Sequence, residues 1–312
     1  MYGFSSEKAS RGQRGAAVIL AMGVVALAAV AATAIMVSQS IWSRQNQLSN
    51  EYVQAQVMVQ AGVDWVRAVL SDDRRMGNID HLGEPWAQQM PEMPIENGQL
   101  AGQIHDQQGM FNLNNLVQVG KTSPTQLASF KRLLGLLDLP AALGDSLADW
   151  IDTDNTPQSP NGAEDEHYLS LSPPYVTANH PLTDVAELAQ VRGFDGAALA
   201  RLRPFVTALP GTTVVNVNTA PPEVLAAVIE GLGIGNARML AAQRERAYFR
   251  DRTDFLNRLP QGAVVEADDI GVSSDYFKAA LRVNIGEAQA QGTVLLARID
   301  DGWPAIVWRK FP

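Results

Sequence analysis

The chain has 312 residues, a net charge of −9 and no cysteine. That length allows a large soluble core in addition to a membrane anchor, and the lack of cysteine excludes disulfides as a source of stability. The acidic balance excludes a nucleic-acid-binding surface that covers the whole chain.

A long apolar run comes first along the chain. It covers the 22 residues from Ala16 to Val37, none of them charged. As a helix this run is about 30 Å long, the thickness of the hydrocarbon core of a bilayer, whereas a cleavable signal peptide has a shorter apolar core. Lys8, Arg11 and Arg14 precede the run, and positive residues keep an N-terminus in the cytoplasm. The pattern therefore predicts one membrane span, with the rest of the chain beyond the membrane.

The segment from Ser38 to Leu70 has no proline and carries apolar residues at helical spacing. These residues are Ile41, Leu48, Tyr52, Ala55, Val59, Val63, Val66 and Leu70. The spacing predicts that the membrane helix continues as one amphipathic helix of about 50 residues or more.

A short basic leader that ends in Gly15, a membrane helix and an amphipathic extension together resemble the type IV pilin arrangement. The resemblance implies a leader over residues 1–15, cleavage by a prepilin peptidase after Gly15 and methylation of the new N-terminal Ala16. Pilins carry Glu at the fifth mature position, where this chain has Leu20. In the family that carboxylate neutralises the terminal amine of a neighbouring subunit within lipid, where an unpaired charge is costly. Leu20 therefore suits a subunit above which none is added.

Strand signals bracket a helical block. Period-two alternation predicts strands at 98–106 and 110–114, and again at 281–288, 293–300 and 303–309. Helices are predicted at 124–137, 141–151, 184–190, 195–203, 222–230, 234–246 and 252–258. We therefore expect an α+β fold with a pilin-like long N-terminal helix packed on an antiparallel sheet. Residues 38–115 form the amphipathic helix and first part of this domain, 116–278 a large inserted α-helical domain, and 279–312 the returning strands.

Two pairs of segments within the chain are similar to each other. The Asn-x-Asn sequence at Phe111–Asn114 is similar to that at Val215–Asn218, and Leu182–Leu188 is similar to Arg252–Leu256. The similarity indicates either duplicated helical hairpins or a coincidence.

An acidic segment is the strongest chemical feature. Eight carboxylates and no Lys or Arg lie between Asp138 and Tyr168, and their mutual repulsion must be offset if the segment is ordered. Calcium, which takes 6–8 oxygen ligands, would do this. The candidate ligands are Asp152, Asp154, Asn155, Glu164, Asp165 and, from the following helix, Glu187. The alternative is a solvated acidic loop.

Other chemistry is not indicated in this segment. The spacing is not that of an EF-hand, since Pro157 and Ala163 stand where Gly and Glu are needed. Transition metals are disfavoured because His167 is the only nearby nitrogen ligand. No nucleophile is paired with a base, so we expect no enzymatic activity.

Four patterns together resemble the K-type minor pseudopilins of the type II secretion system. They are Asp149–Asp152, Asn161–Asp165, Gly109–Asn114 and Val215–Ala220. The resemblance covers nearly the whole chain and includes the leader and the missing fifth-position Glu. It implies a pilin-like core with an inserted helical domain that binds calcium, in that family two ions.

The same resemblance implies a role and a location. K-type subunits join the I- and J-type minor pseudopilins in a tip complex that initiates and caps the pseudopilus, which is built from the major pseudopilin, for export of folded proteins across the outer membrane. We therefore expect a single-pass inner-membrane protein with a cytoplasmic N-terminus and a periplasmic C-terminal domain.

One competing function rests on residues 216–256, which resemble a helix–hairpin–helix with a Gly-rich turn at Gly231–Gly235. Such hairpins bind phosphates through backbone N–H groups, which would make the chain a membrane-anchored DNA-binding competence or pilus-tip protein. Residues 211–260 carry six arginines and five carboxylates, too small a basic surplus for phosphate binding, so nucleic acid is not the expected partner. A signal-anchored periplasmic enzyme is a further alternative.

Overall fold

The computed structural model describes residues 11–158, 160–300 and 302–311. Residues 1–10 of the predicted leader lie outside the described residues. Helix α1 (Arg11–Met76) runs for 66 residues without interruption, which confirms the predicted continuation of the membrane segment. Its most apolar 18-residue window has a mean hydropathy of 2.6, and none of that window is buried in the protein. By length and composition this helix can cross a membrane.

The remaining elements are short. The helices are α2 (Pro124–Leu136), α3 (Ala142–Ile151), α4 (Asp165–Leu169), α5 (Gly196–Leu202), α6 (Pro222–Val228), α7 (Gly233–Arg244) and α8 (Arg252–Asn257), with 3₁₀ turns at Pro85–Ala87, Leu113–Leu116, Val185–Gln190 and Ala267–Asp269. The strands are β1 (Met90–Ile95), β2 (Gly98–Asp106), β3 (Phe111–Asn112), β4 (Val117–Gln118), β5 (Lys121–Thr122), β6 (Val206–Thr207), β7 (Val215–Asn216), β8 (Ile270–Gly271), β9 (Tyr276–Ile285), β10 (Ala288–Ala297) and β11 (Ala305–Lys310).

The long helix packs on an antiparallel sheet with the strand order β1-β2-β9-β10-β11. Alternate residues of β9 are buried, as expected for a sheet with one covered face. They meet Ala55, Val59, Val63, Val66 and Leu70 of α1. Ile41 and Tyr52 precede this contact and stay exposed. Gly62 permits the close approach, since a Cβ there would lie 3.1 Å from a Leu281 methyl group.

The helical block is an excursion between two neighbouring strands. The chain leaves the sheet after β2 and returns at β9, and Asp106 is paired with Phe277 across the two strands. The excursion covers residues 107–275, so it begins nine residues earlier and ends three residues earlier than the expected 116–278. The reason is local: β3 pairs with β6 inside the helical block, whereas Tyr276 already pairs in the sheet. The block has its own hydrophobic core.

The helical block consists of two similar halves. In each half a short strand that begins an Asn-x-Asn sequence pairs in parallel with a strand at the end of that half, β3 with β6 and β7 with β8. Asn114 bonds both backbone groups of Leu182, at 2.8 and 2.9 Å, and Asn218 bonds both backbone groups of Phe249 at the same distances. The two Asn-x-Asn sequences are therefore structurally equivalent.

The second pair of similar segments is equivalent in a different register. Asp184 lies two residues after Leu182 and caps the following 3₁₀ turn, while Asp251 lies two residues after Phe249 and caps α8. Asp184 therefore matches Asp251. The alignment of the two Thr-Asp sequences matched Asp184 with Asp254 and was wrong by three residues. The N-cap residues set the true register, and these are Asp184 and Asp251.

Several local predictions need correction. Strand β1 was not expected because Pro91 and Pro94 interrupt it, but it lies at the edge of the sheet, where the missing N–H groups are tolerated. The strand predicted at 110–114 ends at Asn112, whose side chain accepts the N–H of Asn114 and starts a 3₁₀ turn. The helix predicted at 184–190 is a 3₁₀ turn, and α4 was not predicted. The predicted strand at 281–288 lies five residues earlier at its start, as β9.

One buried cation joins the end of α1, the sheet and the excursion. Arg298 follows β10 and is 1% exposed. Its Nη1 donates to Asp73 at 2.6 Å, and its Nη2 donates to Asp80 and to the carbonyl of Ser274. The guanidinium also lies 4.5 Å from the ring centre of Phe277. The two carboxylates come from the last turn of α1 and the connection after it, so this ion group fixes how the helix meets the sheet.

Removal of the cation should destabilise the fold strongly. We expect Arg298→Met to lower the free energy of unfolding by about 3–5 kcal/mol, because the buried Asp80 and the partly buried Asp73 lose their partner. The matched control is Arg44→Met, whose partner Glu287 and own side chain are both exposed, and for which we expect about 1 kcal/mol or less. Denaturant unfolding of the full chain in detergent, followed by tryptophan fluorescence, measures both. Equal losses in the two variants would contradict the assigned role of Arg298.

Candidate functional site

The acidic segment is held between α3 and α4. Helix α3 is buried along most of its length, and Tyr168 of α4 is fully buried. The ring of Tyr168 packs edge-on against Trp150 with centres 5.1 Å apart, and its hydroxyl accepts the N–H of Arg192 at 3.2 Å. This aromatic contact brings the two ends of the acidic loop together.

Three of the predicted ligands converge in this loop. Asp152, Asp154 and Glu164 each place one carboxylate oxygen within 4.8 Å of the other two. Asp152 and Glu164 are buried, whereas Asp154 is exposed. Oδ1 of Asp152 and both carboxylate oxygens of Glu164 are buried and receive no hydrogen bond from the described residues. Buried polar atoms normally have a hydrogen-bond partner or a bound ion. The described protein atoms supply no such partner to these three oxygens.

The carboxylates raise one another's pKa. Burial, followed by the charges of Asp149, Asp152 and Asp154, raises the pKa of Glu164 to about 8. Burial and the charge of Asp154 raise the pKa of Asp152. Burial raises the pKa of Asp149 to about 6, although the N–H of Gln158 donates to this carboxylate at 3.1 Å. A cation among these groups would remove the cost of keeping them ionised.

The other predicted ligands are placed differently. Asn155 is exposed next to Asp154 in the chain. Asp165 accepts the N–H and the hydroxyl of Thr177, at 2.9 and 2.7 Å, and these bonds lower its pKa. Glu187 completes the capping box of the following 3₁₀ turn, where its Oε1 accepts the N–H groups of Thr183 and Asp184. The structure does not bring Asp165 or Glu187 into the converging group.

Asp149 was counted among the eight carboxylates of the acidic segment but was not named as a candidate ligand. It lies one helical turn before Asp152 and is fully buried. Its carboxylate faces the returning loop so closely that a Cβ at Gly162 would lie 2.1 Å from Oδ2. The spacing of three residues between Asp149 and Asp152 was the available signal, since residues at i and i+3 share one face of a helix.

The donor set suits a hard cation. Its converging atoms are carboxylate oxygens, the ligands that calcium prefers, and the chain has no thiolate to offer. A second acidic group of described residues, Asp73, Asp80 and Glu84, is different. Arg298 already occupies it with ion pairs to Asp73 and Asp80. Among the residues that the structure describes, no Lys or Arg forms an ion pair with Asp152, Asp154 or Glu164.

The Gly-rich hairpin offers little to a phosphate backbone. Three of the six arginines in its region are engaged within the protein. Arg258 pairs with Asp254 at 2.7 Å, Arg252 pairs with Asp268 at 3.3 Å, and Arg244 donates to the carbonyl of Val217. The positive φ angles of Gly231 and Gly233 explain those glycines by backbone conformation alone. The arrangement therefore does not favour the DNA-binding alternative.

Comparison with known proteins finds matches over most of the chain. Models of the family described as type II secretion system protein K match residues 109–211 and 215–273, which correspond to the two similar halves. The chain is 36% identical to the type II secretion system protein K of Pseudomonas aeruginosa, over 94% of this chain and 91% of that protein. It is 34% identical to the protein of the same name from Klebsiella pneumoniae, over 92% and 93%.

A solved structure has the same fold. It is a chain of the crystal structure of the GspK-GspI-GspJ complex from the enterotoxigenic Escherichia coli type 2 secretion system. The TM-score is 0.76 at 28% identity, and the match covers 86% of this chain and 99% of that chain. The match supports the predicted α+β architecture.

Proposed function

The chain belongs to the type II secretion system protein K family, and from that premise we propose that it assembles with the I- and J-type minor pseudopilins and caps the pseudopilus. The observation that carries the proposal is the position of the helical excursion. It leaves and re-enters the sheet beside the last turn of α1, where Asn216 donates to the carbonyl of Asp80 at 3.1 Å. The excursion therefore lies at the end of α1 opposite the apolar segment.

This placement has a mechanical consequence for a growing fibre. Subunits of a pilin-like fibre stack along their N-terminal helices, and the relative of known structure is part of a complex with GspI and GspJ. A body of 107–275 at the far end of α1 occupies the space into which the next subunit would stack. Leu20, which replaces the carboxylate that pairs with a neighbour in the pilin family, points the same way. Both features favour the terminal position over a repeated one.

Deletion of the excursion should release the cap. Asp106 and Phe277 are paired neighbours in the sheet, so a two-residue Asn-Gly turn can replace residues 107–276 and close a hairpin between β2 and β9. We expect longer or more numerous pseudopili in cells that produce this variant, as counted by electron microscopy. Leu20→Glu is the control and should change little. Pseudopili of unaltered length and number in the deletion variant would overturn the capping role.

We further propose that a prepilin peptidase cuts after Gly15 and that the mature chain, starting at Ala16, is anchored in the inner membrane with its folded part in the periplasm. Support comes from the uncharged run and from the basic residues before it. Protein recovered from membranes should begin at N-methylated Ala16, as measured by N-terminal sequencing and intact mass. Gly15→Leu should block cleavage. A wild-type chain that keeps its leader would exclude this processing.

We propose that the acidic loop binds calcium through Asp152, Asp154 and Glu164, with Asn155 and Asp149 close by. The three unpartnered buried oxygens support this, because a hard cation supplies the compensation that they lack. Bound calcium would contribute a fixed charge that ties the end of α3 to the start of α4. The resemblance to the protein K family implies two ions in this region, and the converging carboxylates would hold one of them.

Chelation should lower the melting temperature of the full chain, because a ligand that binds only the folded state stabilises it. The effect should grow as the pH rises. Without calcium the folded state keeps a proton on Glu164 up to a pKa of about 8, above its ordinary value of 4.5. Between these two pKa values the folded state therefore binds more protons than the unfolded chain, and its stability falls as the pH rises. Bound calcium keeps Glu164 ionised and removes that loss.

The matched variants are Glu164→Gln and Glu166→Gln, since Glu166 lies two residues after Glu164, in the first turn of α4, and is exposed. Glu164→Gln should abolish the calcium response while it raises the melting temperature in chelator at pH 8. Glu166→Gln should respond like the wild type. A thermal scan that shows no calcium effect in the wild type would remove calcium from the proposal and leave a solvated acidic loop.

A further inference from the structure

A second charged group without a counter-ion lies in the other half of the helical excursion. Arg244 ends α7, and its Nη1 donates to the carbonyl of Val217 at 2.7 Å. Its Nε is buried and has no acceptor among the described residues. Burial lowers its pKa to about 10, so the guanidinium is charged at neutral pH. In the described part of the chain no carboxylate forms an ion pair with it.

An unpaired guanidinium is costly to bury. The C-terminal end of the α7 dipole and the Val217 carbonyl offset part of the cost. The Val217 carbonyl occupies one of the five N–H donors, and no other acceptor among the described residues bonds this guanidinium, a group whose planar shape suits carboxylates and phosphates. The bond at the end of α7 therefore does not account for the whole guanidinium of Arg244.

The guanidinium borders a cavity of about 230 Å³ between the excursion and the connection that follows α1. The cavity, here called the Arg244 pocket, is also lined by His81, Gly83, Arg246 and Tyr248. The rings of His81 and Tyr248 stack with centres 4.1 Å apart. The N–H of Gly83 donates to Nδ1 of His81 at 3.1 Å, so the neutral ring carries its proton on Nε2 and is a further donor. Glu245 lies exposed at the same rim.

We propose that the Arg244 pocket binds an oxyanion, either the carboxylate of a docked protein chain or a free tetrahedral anion. Two arginines and an imidazole N–H supply donors and positive charge, and the stacked rings supply a flat wall. The volume is below the 300–1,000 Å³ of pockets for drug-sized ligands, so the pocket suits one charged group and excludes a nucleotide.

The test uses the full chain in detergent at constant ionic strength, with chloride replaced by acetate or by sulfate. Both anions should raise the melting temperature of the wild type as their concentration passes the dissociation constant. Arg244→Gln should lose this rise. The control is Arg238→Gln, an exposed arginine of the same helix, which should keep it. General stabilisation by excluded sulfate is equal in all three proteins and cancels in the comparison.

The two anions distinguish the source of the ligand. An Arg244-dependent rise with acetate supports a carboxylate from a docked chain, and a rise with sulfate alone supports a tetrahedral anion. An equal rise in all three proteins, or none, overturns the proposal. If Arg244→Gln does not fold, Arg244→Lys keeps the charge and the stem without the planar fork. It should lose most of the rise, and a full response in Arg244→Lys would overturn recognition by a guanidinium.

Discussion

The compensation of one buried positive charge holds the architecture together. Arg298 comes from the end of β10, while its two carboxylates come from the end of α1 and from the connection after it. Burial of an ion is costly unless charged and hydrogen-bonding partners compensate it. Helix, sheet and excursion therefore satisfy their charges only when they assemble together. Ser274 and Asn216 extend the network to Asp106, a fully buried carboxyl group whose pKa burial raises to about 6. The excursion is thus tied to the end of α1 by polar contacts as well as by its two chain crossings.

The two halves of the excursion share a scaffold and differ in charge. In each half an asparagine satisfies both backbone groups of an incoming loop residue, Leu182 or Phe249, which fixes where that loop lies. The first half carries the long acidic loop between its second helix and this residue, with carboxylates that lack a cation. The second half has a short connection at the same place and carries Arg244, which lacks an anion. One duplicated frame therefore carries two charged groups of opposite sign.

The same frame explains how a chain of this family can end a fibre. An uninterrupted 66-residue helix places the apolar anchor at one end and the excursion at the other. Because the excursion is joined to the sheet at the neighbouring strands β2 and β9, it adds a body with its own hydrophobic core without disturbing the strand order that α1 covers. Calcium in the acidic loop would stiffen that body where its own charges repel. The apolar anchor and the part of α1 that packs on the sheet belong to one continuous helix, and the excursion is joined to the sheet at the far end of that helix.

Local sequence determined the elements whose causes lie within a few residues. The uncharged run, the spacing of apolar residues in α1, the proline that starts α2 and the acidic loop were all readable, since each depends on neighbours in the chain. Tertiary structure decided the rest. Pro91 and Pro94 are compatible with a strand only because β1 is an edge strand, and Glu187 serves a cap because Asp184 begins a turn there. Arg298 and Asp149 gained their roles from burial beside residues that are distant in sequence or across a loop. Burial and long-range pairing of charges are properties of the folded chain, and no pattern of neighbouring residues encodes them.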